Sequence, residues 1–183
     1  MDAVLEEQAT FGVKSASEIL EARAEGLPVS AFAVVYQHSP LCCYSPEKSG
    51  ITKPQDFVGK TVGLKPGQIT IAYLVMLSKL GIDRSQISEV QLGYGADDLI
   101  AGTTDVSTGF SINEPHQTIE AGHDVNIMLF ADYGLDVYDD VLFATEDTIE
   151  NEPELVGGLL RAMLQGWQCA IENEEEAVEI VLK

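Results

Sequence analysis

Short β-prone runs alternate with capped helical stretches along this chain, and that alternation constrains the fold more than any other feature. "FGV" (Phe11–Val13) reads as a strand that passes at once into a helix from Ser15 to Glu25, closed by Gly26. Ser15 and Glu18 stand at capping-box spacing, so the serine can accept a free amide while the glutamate reaches back. "VSAFAVVY" (Val29–Tyr36) has the continuous apolar character of a buried strand. "SPLCCYS" is extended, and "EKSGITKPQDFVGK" is a surface connection with a short helical turn. "KTVGL", "ISEVQLGYG", "TDVSTGFSI", "DVNIMLF" and "VLFAT" follow as strands. Between them lie a helix from Ile69 to Leu80, the short "ADDLIAG", and "NEPHQTIEAG" with Pro115 in its first turn and Gly122 beyond its end. Two helices, Pro153–Ile171 and Glu174 onward, complete the pattern. Strands alternating with helices predict parallel βαβ units and an α/β class.

The 183 residues are 45% hydrophobic, which suffices for one ordinary core or two small lobes. No run approaches the roughly 20 apolar residues of a membrane span, so direct membrane insertion is not expected. Thirty acidic against ten basic residues give a formal charge of −20, which disfavours nucleic acid as a partner. The acids gather in "ENEEEAVE" (Glu172–Glu179), a pattern that reads as a solvated helix face. Cys42, Cys43 and Cys169 make no disulfide framework. "MDAVLEEQATF" lacks the apolar stretch of a signal peptide, so the chain as given is expected to be cytoplasmic as expressed.

The phrases "FGVKSASEILEARAEGLPV", "VVYQHSPL", "GITKPQDFVGKTVGLKPG", "GFSINEP" and "DYGLDVYDDVLFATEDTIENEPELV" occur in an order that resembles the substrate-binding proteins of ABC importers, in the NMT1/THI5-like branch. The resemblance implies a type II periplasmic-binding-protein-like fold, with two α/β lobes joined by two crossing strands around a ligand cleft. Lobe one would be 1–40 plus 142–183, and lobe two 41–141. The branch is associated with thiamine-precursor pyrimidines, riboflavin and sulfonate-type ligands. Its members are periplasmic or lipid-anchored, and its eukaryotic relatives make the thiamine pyrimidine.

The implied function is therefore the solute-binding component of an ABC importer, taking a small nitrogen heterocycle without catalysis or cofactor and serving an ABC permease. Against the family pattern, the first strand and helix before "FGV" and the usual C-terminal tail are missing. That implies truncation at both ends, an incomplete first lobe, and self-association of the exposed edge into a homo-oligomer. Two other readings stay open. One is an orphan truncated fold acting as an oligomeric interaction protein. The other is a pyrimidine-synthase-like enzyme, for whose iron site the sequence shows no ligand set.

Candidate site residues fall where strands meet helices. Ser15 and Ser17 open a helix whose free amides, in the resembling fold, face the cleft, although capping alone also explains Ser15. Gly67 and Gln68 in "KPGQ" repeat that arrangement, as ligand contacts or as a bare turn. Asn113 and Glu114 follow a strand. Glu114 would accept N–H groups of a heterocycle, or would only complement the helix dipole. Tyr36, with Gln37 beside it, and Tyr133 and Tyr138 lie near the proposed crossings, where they would stack on a flat ligand or pack the hinge. Leu160, Leu164 and Trp167 share a helical spacing that predicts core. Adjacent Cys42 and Cys43 on a strand would point to opposite faces, so with His38 they make a poor metal set and no metal is expected.

Overall fold

The computed structural model describes residues 1–182. In chain order the elements begin α1 (Asp2–Leu5), β1 (Gly12–Lys14), α2 (Ala16–Ala24), β2 (Val29–Tyr36) and β3 (Leu41–Pro46). They continue β4 (Thr61–Leu64), α3 (Gln68–Lys79), β5 (Ser88–Gln91), α4 (Asp97–Ile100), β6 (Val106–Phe110) and α5 (Glu114–Glu120). Last come β7 (Val125–Leu129), β8 (Asp139–Thr145), α6 (Glu146–Asn151), α7 (Pro153–Glu172) and α8 (Glu174–Val181). Two compact units result, Met1–Val35 with Asp140 onward, and Tyr36–Asp139.

The first unit is built on a three-stranded sheet of order β1-β8-β2. β1 runs antiparallel to β8, with Gly12 opposite Phe143 and Lys14 opposite Val141. Val4, Ile19, Ala22, Val29 and Phe143 form its buried cluster. α2 begins with the expected capping box: Ser15 Oγ accepts from the Glu18 amide, and the Glu18 carboxylate takes the Ser15 amide. Two expectations are corrected here. β2 is an edge strand, and only Val29 of it is fully buried, because its apolar character serves one covered face rather than two. Leu164 and Trp167 on α7 are exposed rather than core, and Leu160 is half-buried, because no described element covers that stripe.

The second unit centres on a five-stranded sheet of order β5-β4-β6-β3-β7. β4 is parallel to β5 and to β6, whereas β3 is antiparallel to both β6 and β7. The parallel βαβ expectation therefore holds for three strands and fails at β3. β3 follows β2 with no crossover helix between them, so it carries no helix-linked parallel partner. α3 lays Ile69, Tyr73, Met76 and Leu77 on the sheet, the i, i+4, i+7, i+8 stripe of an amphipathic helix. They join Cys43, Phe57, Val62, Leu64, Val106 and Met128 in the main core, where each large apolar side chain contributes about 1.5–3 kcal/mol. Cys42 and Tyr44 pack on the other face with Leu99 of α4, so the adjacent cysteines do point to opposite sides. Among the described residues no helix is long and apolar enough to cross a membrane.

Candidate functional site

One edge of the five-stranded sheet collects the chemistry of the second unit. β4, β5 and β6 run parallel and end there. Leu41, the first residue of β3, lies opposite Phe110 at the end of β6, and Cys42 lies opposite Leu129 at the end of β7. The carboxyl ends of four strands and the amino end of β3 thus share a rim. After β4 the chain crosses to β5 on one side, and after β6 it passes β3 to reach β7 on the other. Where neighbouring strands send their connections in opposite directions, their loops part and leave a crevice, the usual ligand position in open α/β sheets. Here that position lies between Lys65–Gln68 and Ser111–Glu114.

A buried ion pair forms its floor. Lys65 Nζ sits 3.4 Å from Glu114 Oε1, with both side chains 3% exposed. The ammonium also donates to the carbonyls of Gly93 and Gly95. Glu114 Oε2 accepts the Phe110 amide at 2.9 Å, and the Lys65 amide donates to Thr108 Oγ1 at 2.9 Å. Gly109 is required beside this carboxylate, since a Cβ there would lie 2.9 Å from Glu114 Oε2 and 3.0 Å from the Tyr44 ring. Burial, with the Glu114 charge added, pushes the Cys42 thiol and the Tyr44 phenol well above their ordinary ranges. Both ions are buried, and each depends on the other.

The predicted residues take differing positions. Gly67 is exposed as the N-cap of α3, with φ +94°, and Gln68 is half-buried behind it. Asn113 is exposed, and its Oδ1 accepts from Gln117 Nε2 at 2.8 Å. Glu114 is buried with its carboxylate turned inward, where the Phe110 amide and Lys65 engage it at the base of the crevice. Tyr133, half-buried, packs against the main core, and burial followed by the Asp132 charge raises its phenol above the usual range. Tyr36 is half-buried, Gln37 is exposed and Tyr138 is 57% exposed. His38 Nδ1 lies 2.8 Å from Asp136 Oδ2, and Ser39 donates to Asp139 at 3.1 Å.

Ser15 and Ser17 belong to the other unit. Ser15 is buried and committed to its cap, and its Oγ lies 3.3 Å from that of exposed Ser17. Burial alone would raise the Glu18 carboxyl. Hydrogen bonds from Lys14 and Ser15, with the Lys14 charge, bring it below its ordinary value instead.

Two residues of the rim were not read from the sequence as site residues. Lys65 stood in the quoted turn, but nothing local marks a lysine as buried. Tyr94 stood within "LGYG", where only its flanking glycines hint at a displayed side chain. Among the described residues no three His, Cys, Asp or Glu side chains cluster as a metal site.

Comparison with known proteins agrees with this architecture. The chain is 27% identical over 177 residues to the riboflavin-binding protein RibY of Chloroflexus aurantiacus, covering 94% of this chain and 50% of that protein. It is 31% identical over 172 residues to a formylaminopyrimidine-binding protein of Halalkalibacterium halodurans, covering 90% and 51%. It is 32% identical over 180 residues to a Legionella pneumophila protein named 4-amino-5-hydroxymethyl-2-methylpyrimidine phosphate synthase, covering 93% and 55%. The chain therefore spans about half the length of the curated relatives it matches. In structure it is similar to the periplasmic aliphatic sulphonate-binding protein SsuA of Escherichia coli. The TM-score is 0.79 at 16% identity, covering 97% of this chain and 62% of that one, which establishes the periplasmic-binding-protein type of α/β fold. The model of the NMT1/THI5-like family matches residues 1–177, and the chain belongs to that family.

Proposed function

We propose that this chain is the solute-binding component of an ABC importer and takes a small nitrogen heterocycle of the thiamine-precursor pyrimidine type, without catalysis. The observation that carries the reading is the convergence of parallel strand ends at a point where their connections diverge, over a floor that holds no uncompensated charge. Lys65 is neutralised by Glu114, so the floor offers no free cation to a sulfonate, and the −20 charge of the chain opposes an anion further. Gly67, Gln68, Asn113 and Tyr133 are the proposed contacts at this rim. Tyr36, Gln37 and Tyr138 are proposed on the segments that lead to and from it, and Ser15 and Ser17 on the first unit. Tyrosine faces suit a flat ring, and their hydroxyls supply its polar contacts. Two relatives named for binding riboflavin and formylaminopyrimidine support the ligand class. An ABC permease and a second copy of the chain are the proposed macromolecular partners.

Thermal shift followed by calorimetry against aminopyrimidines, thiamine, riboflavin and alkanesulfonates tests the reading. A heterocycle should bind more tightly than any sulfonate. Preference for a sulfonate would overturn the ligand class and leave the binding role intact. The relative named as a synthase favours one competing reading, a pyrimidine-making enzyme. Iron in the purified protein together with formation of the pyrimidine would establish it in place of the binding role.

A further inference from the structure

Tyr94 is 86% exposed, the most exposed large apolar side chain among the described residues. It stands on the loop from β5 to α4, at the carboxyl rim where the crevice opens. Exposure alone says little, since loops commonly display aromatics. What sets Tyr94 apart is how its loop is held.

The buried ammonium of Lys65 donates to the carbonyl of Gly93 and to that of Gly95, the residues on either side of Tyr94. The Leu92 amide donates to the Leu64 carbonyl at 2.9 Å, and Ala96 and Leu99 are buried just beyond the loop. The loop is therefore pinned on both sides of the ring, and from beneath by a charge whose remaining partner is Glu114. Removing an ammonium from water is costly, and the bonds it makes here fix a loop whose own side chain touches solvent. Phe110, the last residue of β6, and Ile112, on the loop after it, are also partly exposed, so the rim presents apolar surface on both sides of the crevice. A rigid aromatic face costs little conformational entropy on binding, which favours it as a stacking surface.

We propose that Tyr94 is the stacking platform of the ligand site, held in place by Lys65, and that it selects a planar, uncharged or cationic heteroaromatic ring. This rests on the heterocycle-binding reading above and names the side chain that recognises the ring. Phe110 and Ile112 border the ring on the β6 side.

Riboflavin and 4-amino-5-hydroxymethyl-2-methylpyrimidine are the probes, titrated by calorimetry into the wild type, Tyr94→Ala and Tyr94→Phe. The alanine variant should weaken the better probe at least about tenfold, and the phenylalanine variant should stay within about twofold, because a stacking face survives loss of the hydroxyl. Both variants should melt with the wild type, since the ring makes no core contact. If riboflavin binds, its emission should be quenched by the wild type and recover in Tyr94→Ala at saturation. Wild-type affinity in the alanine variant overturns the proposal and leaves heterocycle binding standing. Equal weakening by alanine and phenylalanine overturns stacking in favour of a hydroxyl contact. A wild type that binds neither probe overturns this proposal together with the reading on which it rests.

Discussion

Lys65, just beyond β4, and Glu114, the first residue of α5, face each other across 3.4 Å, and both side chains are buried. Removing one member of such a pair strands the other charge, which typically costs about 3–5 kcal/mol. Glu114→Gln is therefore expected to destabilise the protein by about that amount in a denaturant melt. Adding Lys65→Met to it should restore part of the loss, because the stranded ammonium is then gone. A single variant as stable as wild type would show that the pair is not isolated from water.

Gly109 controls the same carboxylate from behind. Gly109→Ala places a methyl 2.9 Å from Glu114 Oε2 and 3.0 Å from the Tyr44 ring, both packed. The expected cost of this overpacking is about 1–3 kcal/mol in the same melt. Alanine at no loss would mean that the α5 start can slide.

The start of α2 should give an acid-sensitive contribution to stability. Glu18 is lowered from its ordinary value of 4.5 by Lys14 and Ser15, which outweigh the upward push of burial. A carboxyl depressed on folding stabilises above its unfolded pKa, and that contribution disappears as pH falls through the lower folded value. Ser15→Ala should cost about 1 kcal/mol near neutrality, as loss of an N-cap does. The gap between the stability curves of wild type and variant should narrow as pH falls from 4.5 through the lower folded value of Glu18, below which Glu18 is protonated in both states. Parallel curves down to strongly acidic pH would exclude this cap as the source.

Thiol chemistry should separate the three cysteines. Cys42 and Cys43 are buried and Cys169 is exposed. Burial raises the first two thiols further from their reactive thiolate forms. A disulfide reagent should titrate Cys169 alone in native buffer and all three in denaturant. Rapid native reaction at Cys42 or Cys43 would mean that the sheet opens.

Leu164, Trp167 and Ile171 lie at helical spacing on α7 and are exposed together. This surface should bind a hydrophobic dye in native buffer, and replacing all three with serine should abolish the signal. Light scattering at micromolar concentration checks the proposed self-association, and a monomer mass would remove it.

What could be read from the sequence was local. The Ser15–Glu18 cap, the boundaries of β2 and the opposed faces of Cys42 and Cys43 follow from spacing and alternation within a few residues. The antiparallel placement of β3 between β6 and β7 depends on partners far along the chain, which periodicity does not encode. The inward turn of Glu114 depends likewise on Lys65, just beyond β4, and on the space left by Gly109. Trp167 shows the opposite limit. Its helical spacing is genuine, but spacing identifies an apolar face without saying what covers it.

The chain comes into its second unit beside the place where it leaves, with His38 Nδ1 2.8 Å from Asp136 and Ser39 bonded to Asp139. In polymer terms, residues 36–139 form a loop already tied at its neck, so little closure entropy is left to the chain that carries it. Such a stretch is portable. Its two ends ask little stretch of the backbone that joins them, whatever the length of chain between.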